Sequence, residues 1–171
     1  MKLSVCVPTY HHGKYISQML EGALMQQTSF PFEIVIGDDG SSDNTQEVIR
    51  DYMKKHPGRI RAFLHTENQG PAFPREFAGR NNVLGLLKAC EGEYVAMCEG
   101  DDYWTDPYKL QKQVDFLDQN PDYSISHHNV NVIYEDGSAA HYFNGPTQSA
   151  TSYLEDILAD KWFMATGSWV Y

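Results

Sequence analysis

The apolar residues of the first hundred or so positions fall into short runs, and each run ends in a cluster of turn-forming or acidic residues. Leu3 to Val7 closes at Pro8, and Phe32 to Ile36 runs into Gly37-Asp38-Asp39-Gly40. Ile60 to Leu64 leads to a stretch rich in Gly and Pro, and Tyr94 to Cys98 ends in Glu99-Gly100-Asp101-Asp102. Short continuous runs bounded by turn signals predict strands buried on both faces. The segments between them change period. From Lys14 to about Gln27, Ile16, Met19, Leu20, Ala23 and Leu24 recur at helical spacing. A second helix opens at Asp43-Asn44-Thr45-Gln46, a capping-box pattern with Gln46 reaching back. It carries Val48, Ile49, Tyr52 and Met53 inward and stops at Pro57-Gly58. Arg80 to Ala89 is predicted as a third. A fourth starts with Asp106 as cap and Pro107 at its first position, turns Leu110, Val114, Phe116 and Leu117 to the core, and ends at Asn120-Pro121.

The order strand–helix–strand–helix–strand–helix–strand predicts an α/β fold: a mostly parallel, Rossmann-like sheet with helices on both faces. A late antiparallel pair follows, Tyr123 to Tyr134 and Ala139 to Phe143, joined by the hairpin-type turn Glu135-Asp136-Gly137-Ser138. Ser152-Tyr153-Leu154-Glu155 reads as another capping box, opening a short helix to about Asp160. His65 to Ala78 is a long loop, and long loops in compact domains are often functional.

The 171 residues contain no repeat, low-complexity segment or linker, so positions 1–171 are expected to form one domain. Its apolar end, Trp162 to Tyr171, carries no cap or polar tail, and the chain is expected to continue beyond it. The net charge of −10 argues against a nucleic-acid partner. Any anionic ligand must then be met by local cations, backbone N–H groups or a metal. Cys6, Cys90 and Cys98 have no metal-site spacing and suggest a reducing compartment. The start lacks a signal peptide's apolar region, and no run approaches the ~20 residues of a membrane span. The expected location is cytoplasmic, with peripheral association at the inner face of a membrane left open.

Sites in open α/β sheets form outside the carboxyl ends of the strands. Here Pro8-Thr9-Tyr10, Asp38-Asp39-Gly40-Ser41 and Glu99-Gly100-Asp101-Asp102 arrive at one such edge. Three carboxylates within four residues repel one another unless a proton or cation joins them, and hard oxygen ligands suit Mg²⁺ or Mn²⁺. Gly100 lets the backbone turn or approach a ligand closely. The plainer alternative is a polar turn after a strand. His11 and His12 read as solvated loop residues, and a His pair without a third partner is a poor metal site. His127 and His128 fall on opposite sides of a predicted strand and read as structural. Trp104 reads either as a sugar platform or as a core aromatic, and Ser41 and Ser42 as turn and cap residues.

With these residues in view, the chain resembles glycosyltransferase family 2, of GT-A fold. The resemblance is carried by Val5-Cys6-Val7-Pro8-Thr9-Tyr10, Phe32 through Asp43, Glu67-Asn68-Gln69-Gly70, Gly92-Glu93-Tyr94-Val95-Ala96 continuing to Asp101-Asp102-Tyr103-Trp104, and Pro107 through Gln113. It implies an inverting enzyme that takes a nucleotide-activated sugar, commonly a UDP-sugar, with Mg²⁺ or Mn²⁺, and passes the sugar to a saccharide or lipid-linked acceptor in polysaccharide or lipopolysaccharide synthesis. Carried over by position, Pro8, Thr9 and Tyr10 frame the base and Asp39 accepts from it. Arg80 contacts the diphosphate or base. Asp101 and Asp102 contact ribose and metal, and Glu99 stands where the family often has Asp. The family's general base has no identifiable counterpart and is expected beyond Tyr171. A competing reading is a receiver-like signalling module whose acidic cluster holds Mg²⁺ without glycosyl transfer; no Lys at the end of a late strand completes its phospho-acceptor site.

Overall fold

A computed structural model describes residues 1–70, 79–159 and 163–171; the part of the predicted loop at 71–78, the expected helix end at Asp160 and the first residue of the apolar end, Trp162, lie outside the described residues. The elements are β1 (Leu3–Thr9), α1 (Ile16–Leu24), β2 (Phe32–Asp38), α2 (Thr45–Lys55), β3 (Ile60–Leu64), α3 (Arg80–Ala89), β4 (Tyr94–Met97), α4 (Lys109–Gln119), β5 (Asn131–Val132), β6 (His141–Tyr142) and α5 (Leu154–Leu158). A single 3₁₀ turn, Thr166–Ser168, follows. The first four strands form one sheet of order β3-β2-β1-β4, every pair parallel. Val5, Val7, Ile34, Ile36 and Ala96 meet α1, α2 and α4 on one face through Met19, Leu20, Ile49, Leu110 and Val114. Cys6, Val35 and Met97 meet Leu86 of α3 on the other, with Trp169 and Tyr171 packed beside them. Burial on both faces is why the central strands β1 and β2 read as mostly apolar runs rather than alternating ones.

The structure corrects several local readings. Gln46 does not reach back to cap α2: its amide donates to Asp38 Oδ2 at 2.6 Å and to the His65 carbonyl at 2.7 Å. The α2 cap is supplied from Asp43, whose Oδ1 accepts from the Thr45 N–H at 3.1 Å. α1 is shorter than its apolar spacing suggested, and α4 begins at Lys109 rather than Pro107. Asp106 first closes a separate turn, accepting from the Tyr108 N–H on its side chain and the Lys109 N–H on its carbonyl. Phe116 faces solvent, edge-on to Tyr123, instead of entering the core.

The late strand pair is antiparallel as predicted but reduced to Asn131↔Tyr142 and Val132↔His141. Its side chains are largely exposed, so little burial drives a longer ladder. His127 and His128 therefore lie outside any strand. The box before α5 is shifted by one residue: Asp156 Oδ2 accepts from the Tyr153 N–H at 2.8 Å. The sheet also gains an antiparallel neighbour absent from the sequence reading. Val170 bridges Ala96 and Ser126, and Tyr171 exchanges both backbone hydrogen bonds with Val95.

Candidate active site

The parallel register carries the ends of β1, β2 and β4 to one edge. Thr9 stands opposite Asp38, the Asp39 N–H donates to the Thr9 carbonyl at 3.0 Å, and the Gly100 N–H donates to the Pro8 carbonyl at 3.1 Å. Backbone hydrogen bonding thus joins Pro8, Thr9, Asp39 and the start of the acidic loop. Asp39, almost wholly buried, accepts from the Gln69 N–H at 2.7 Å and ties the Glu67-Asn68-Gln69-Gly70 loop to this edge. Arg80 opens α3 nearby, where Asn81 donates to the Gln69 carbonyl at 2.6 Å and Asn82 to the Gly37 carbonyl at 2.7 Å.

Tyr10 is 43% exposed and stacks on His11 with centroids 4.0 Å apart, so one ring face at this edge stays open. His11 has φ of 56°, among the described residues the one non-glycine position in the left-handed region. Asn, Asp and His tolerate that conformation best, which accounts for a His at this turn. Two bonds hold it: the His11 N–H donates to Ser41 Oγ at 2.8 Å, and its Nε2 meets Ser42 Oγ at 3.1 Å. Gly40, at φ +77°, completes the β2 turn, and a Cβ there would lie 2.6 Å from the Asn68 nitrogen.

The acidic loop is crowded from beneath. A Cβ on Gly100 would stand 2.7 Å from His12 Nδ1 and closer still to Thr9 Oγ1, so glycine serves close packing here. Both of those polar atoms are buried without a hydrogen-bond partner. His12 Nε2 lies 3.7 Å from Asp101 Oδ2. Glu99, Asp101 and Asp102 keep contact with solvent. The protein packed around Glu99 and Asp102 nevertheless displaces enough water to push both carboxyls above the usual carboxylate range, and the Asp101 charge pushes them the same way. All three donors are oxygens that gain from a cation, so their chemistry fits Mg²⁺ or Mn²⁺. Among the described residues, no three His, Cys, Asp or Glu side chains converge closely enough to hold a metal ion as they stand.

Other residues at this edge take supporting parts. Asp38 is fully buried and accepts from the Ser41 N–H, the Ser41 hydroxyl and Gln46, so it braces the turn that presents Asp39. The β5–β6 turn folds back over the loop after β1, where Glu135 Oε1 accepts from both Lys14 Nζ and the Tyr15 hydroxyl. Trp104 is buried, and its indole N–H donates to the Gly167 carbonyl at 2.7 Å, which makes it a core aromatic rather than a sugar platform.

The family described as Glycosyl transferase family 2 matches residues 4–167, and the chain belongs to that family. This overturns the receiver-like alternative. An uncharacterised protein of Mycobacterium tuberculosis is 39% identical over 169 residues, which covers 99% of this chain and 46% of that protein. TarS of Staphylococcus aureus, solved in complex with UDP-GlcNAc, is 32% identical with a TM-score of 0.55, over 75% of this chain and 32% of that one. A mannosyltransferase of Pyrobaculum calidifontis, solved with GDP-Man and Mn²⁺, is 26% identical with a TM-score of 0.57, over 68% of this chain and 32% of that one. The chain spans about half the length of the mycobacterial protein and about a third of each of the two solved chains. Among the described residues no helix is long and apolar enough to cross a membrane.

Proposed function

We propose that this chain binds the nucleotide-sugar donor of an inverting, metal-dependent glycosyltransferase whose donor is a UDP-sugar and whose acceptor is a saccharide or lipid-linked hydroxyl. The carrying observation is the single hydrogen-bonded edge that joins the β1, β2 and β4 ends, with Tyr10, Asp39 and the Asp101-Asp102 pair along it. In this reading Pro8, Thr9 and Tyr10 frame the base, and the open Tyr10 ring face stacks on it. Asp39, locked by Gln69, accepts from the base, and Arg80 meets the diphosphate. Asp101 and Asp102, with Glu99 on its longer arm, hold Mg²⁺ or Mn²⁺, which when bound neutralises charge on the departing diphosphate. The donors seen in TarS and in the mannosyltransferase support a nucleoside-diphosphate ligand; the 32% identity to TarS favours uridine over guanosine. Synthesis of an envelope polysaccharide or lipopolysaccharide at the inner face of the membrane is the setting that fits such an acceptor.

The test is a titration with UDP in the presence of Mn²⁺ and again in the presence of a chelator, on the parent and on Asp101→Asn and Asp102→Asn. Each amide keeps the shape of the side chain and removes a negative ligand. Binding is expected to weaken by about 10-fold or more with Mn²⁺ and to stay level in the chelator. Equal losses in both conditions would assign these aspartates to the fold or to direct nucleotide contact and end the metal role.

A further inference from the structure

Lys109, the first residue of α4, is 5% exposed, yet its Nζ has no hydrogen-bond partner. It lies 4.0 Å from the centroid of the Trp104 ring. Leu110 and Val114 flank it on a helix that packs into the core. A buried amine without a partner is expensive for a fold, and an apolar side chain of the same length would be cheaper there. What the amine gains is the ring face: in water-poor surroundings a cation over indole is held more firmly than at a surface.

Trp104 is fixed on its other sides too. Its backbone packs on Gly22 of α1, where a Cβ would lie 2.8 Å from the Trp104 carbonyl oxygen. The Gly167 carbonyl that its indole N–H binds belongs to the 3₁₀ turn, and a Cβ on Gly167 would lie 2.9 Å from Asp102 Oδ2. Gly167 is therefore the neighbour of the Asp102 carboxylate, and only a glycine leaves that carboxylate its space. Lys109, Trp104, Gly167 and Asp102 thus follow one another from the inner face of α4 to the acidic loop, with no room for a side chain between Gly167 and Asp102. The other ionisable neighbours of Lys109 are the buried Cys98 thiol behind the loop and His128, whose Nε2 is likewise buried without a partner.

We propose that Lys109 is a positioning residue of the donor site: its amine under Trp104 sets the strut through Gly167 that fixes the Asp102 carboxylate for metal binding. The proposal rests on the reading of Asp102 as a metal ligand. It makes stability and function move in opposite directions, because removing the amine relieves the fold while freeing the ring and, through it, the ligand.

The experiment uses the whole chain with Lys109→Met, Trp104→Phe and both together. Melting temperature, UDP affinity with Mn²⁺ or a chelator, and affinity for Mn²⁺ alone are measured. Lys109→Met is expected to melt at or above the parent and to lose about 10-fold in Mn²⁺-dependent UDP affinity, as outer-shell changes do. Trp104→Phe should show a similar loss, and the double variant no more than the larger single one. In the chelator all four proteins should bind alike. A Lys109→Met variant that melts lower and binds as the parent does would make Lys109 an ordinary core residue and overturn the proposal, as would losses that multiply in the double variant. If the parent shows no Mn²⁺-dependent UDP binding, the donor reading fails by itself, and Mn²⁺ alone decides: weaker Mn²⁺ binding in Lys109→Met upholds the strut, and equal or absent binding overturns it.

Discussion

Burial holds the Lys109 amine down to about 7, against 10.5 for the free side chain. Between those values the unfolded chain keeps a proton that the folded chain has released, so stability rises with pH across that window. Below about pH 7 the amine is charged in both states and the full cost of burying it is present. The melting advantage expected of Lys109→Met should therefore be largest at pH 6–7 and shrink towards pH 10 (an advantage that does not change with pH would contradict this). Asp102 has the opposite sign. Its carboxyl is pushed up by burial and by Asp101, so the folded chain holds a proton that the unfolded chain loses, and stability falls as pH rises past the ordinary carboxylate range. Without metal at neutral pH, Asp102→Asn is expected to raise the melting temperature; a lower one would mean that the carboxylate supports the fold. Such residue-level facts were only half legible. Three carboxylates within four residues announce a charged site, but nothing local tells that Lys109 turns inward onto Trp104 or that Gln46 is captured by Asp38.

The elements owe their position to backbone fit at a few glycines. Gly100→Ala would drive a methyl group between Thr9 Oγ1 and His12 Nδ1, and these sit on the segment whose Pro8 carbonyl holds the Gly100 N–H. Overpacking of this kind should cost about 1–3 kcal/mol by chemical denaturation. Gly137→Ala, exposed in the hairpin turn with open space around its Cα, is strained only by its φ of +79° and should cost about 1 kcal/mol. If the two variants proved equally destabilised, the packing account of Gly100 would fail. The four sheet strands were readable because the buried sheet keeps them mostly apolar; Ser4, Glu33 and Arg61, which interrupt the runs, are tied together by hydrogen bonds from Ser4 and Arg61 to Glu33. The β5–β6 pair was overread for the same reason in reverse: Ile133, Tyr134 and Tyr142 suggest a ladder, but they remain exposed and only two residue pairs form. Helix starts moved where a turn intervened, as Asp106 does before α4.

At the scale of the whole molecule, the parallel sheet with helices on both faces followed from the alternation of strands and helices, since parallel neighbours need crossovers of one hand, whereas the order β3-β2-β1-β4 came only with the fold. What no local pattern disclosed is the return of Val170 and Tyr171 to β4, because a pairing across more than seventy positions depends on the folded sheet and not on the residues between. That return bears on behaviour in concentrated solution. Tyr171 takes up both the N–H and the carbonyl of Val95, and Val170 is itself occupied by Ser126 on its far side. Without these last residues β4 would present a bare, apolar margin, and bare strand margins recruit strands from other molecules. Removing residues 169–171 is therefore expected to turn a monodisperse sample into one that self-associates as concentration rises, readable by light scattering. An unchanged scattering mass would show that some other segment guards β4.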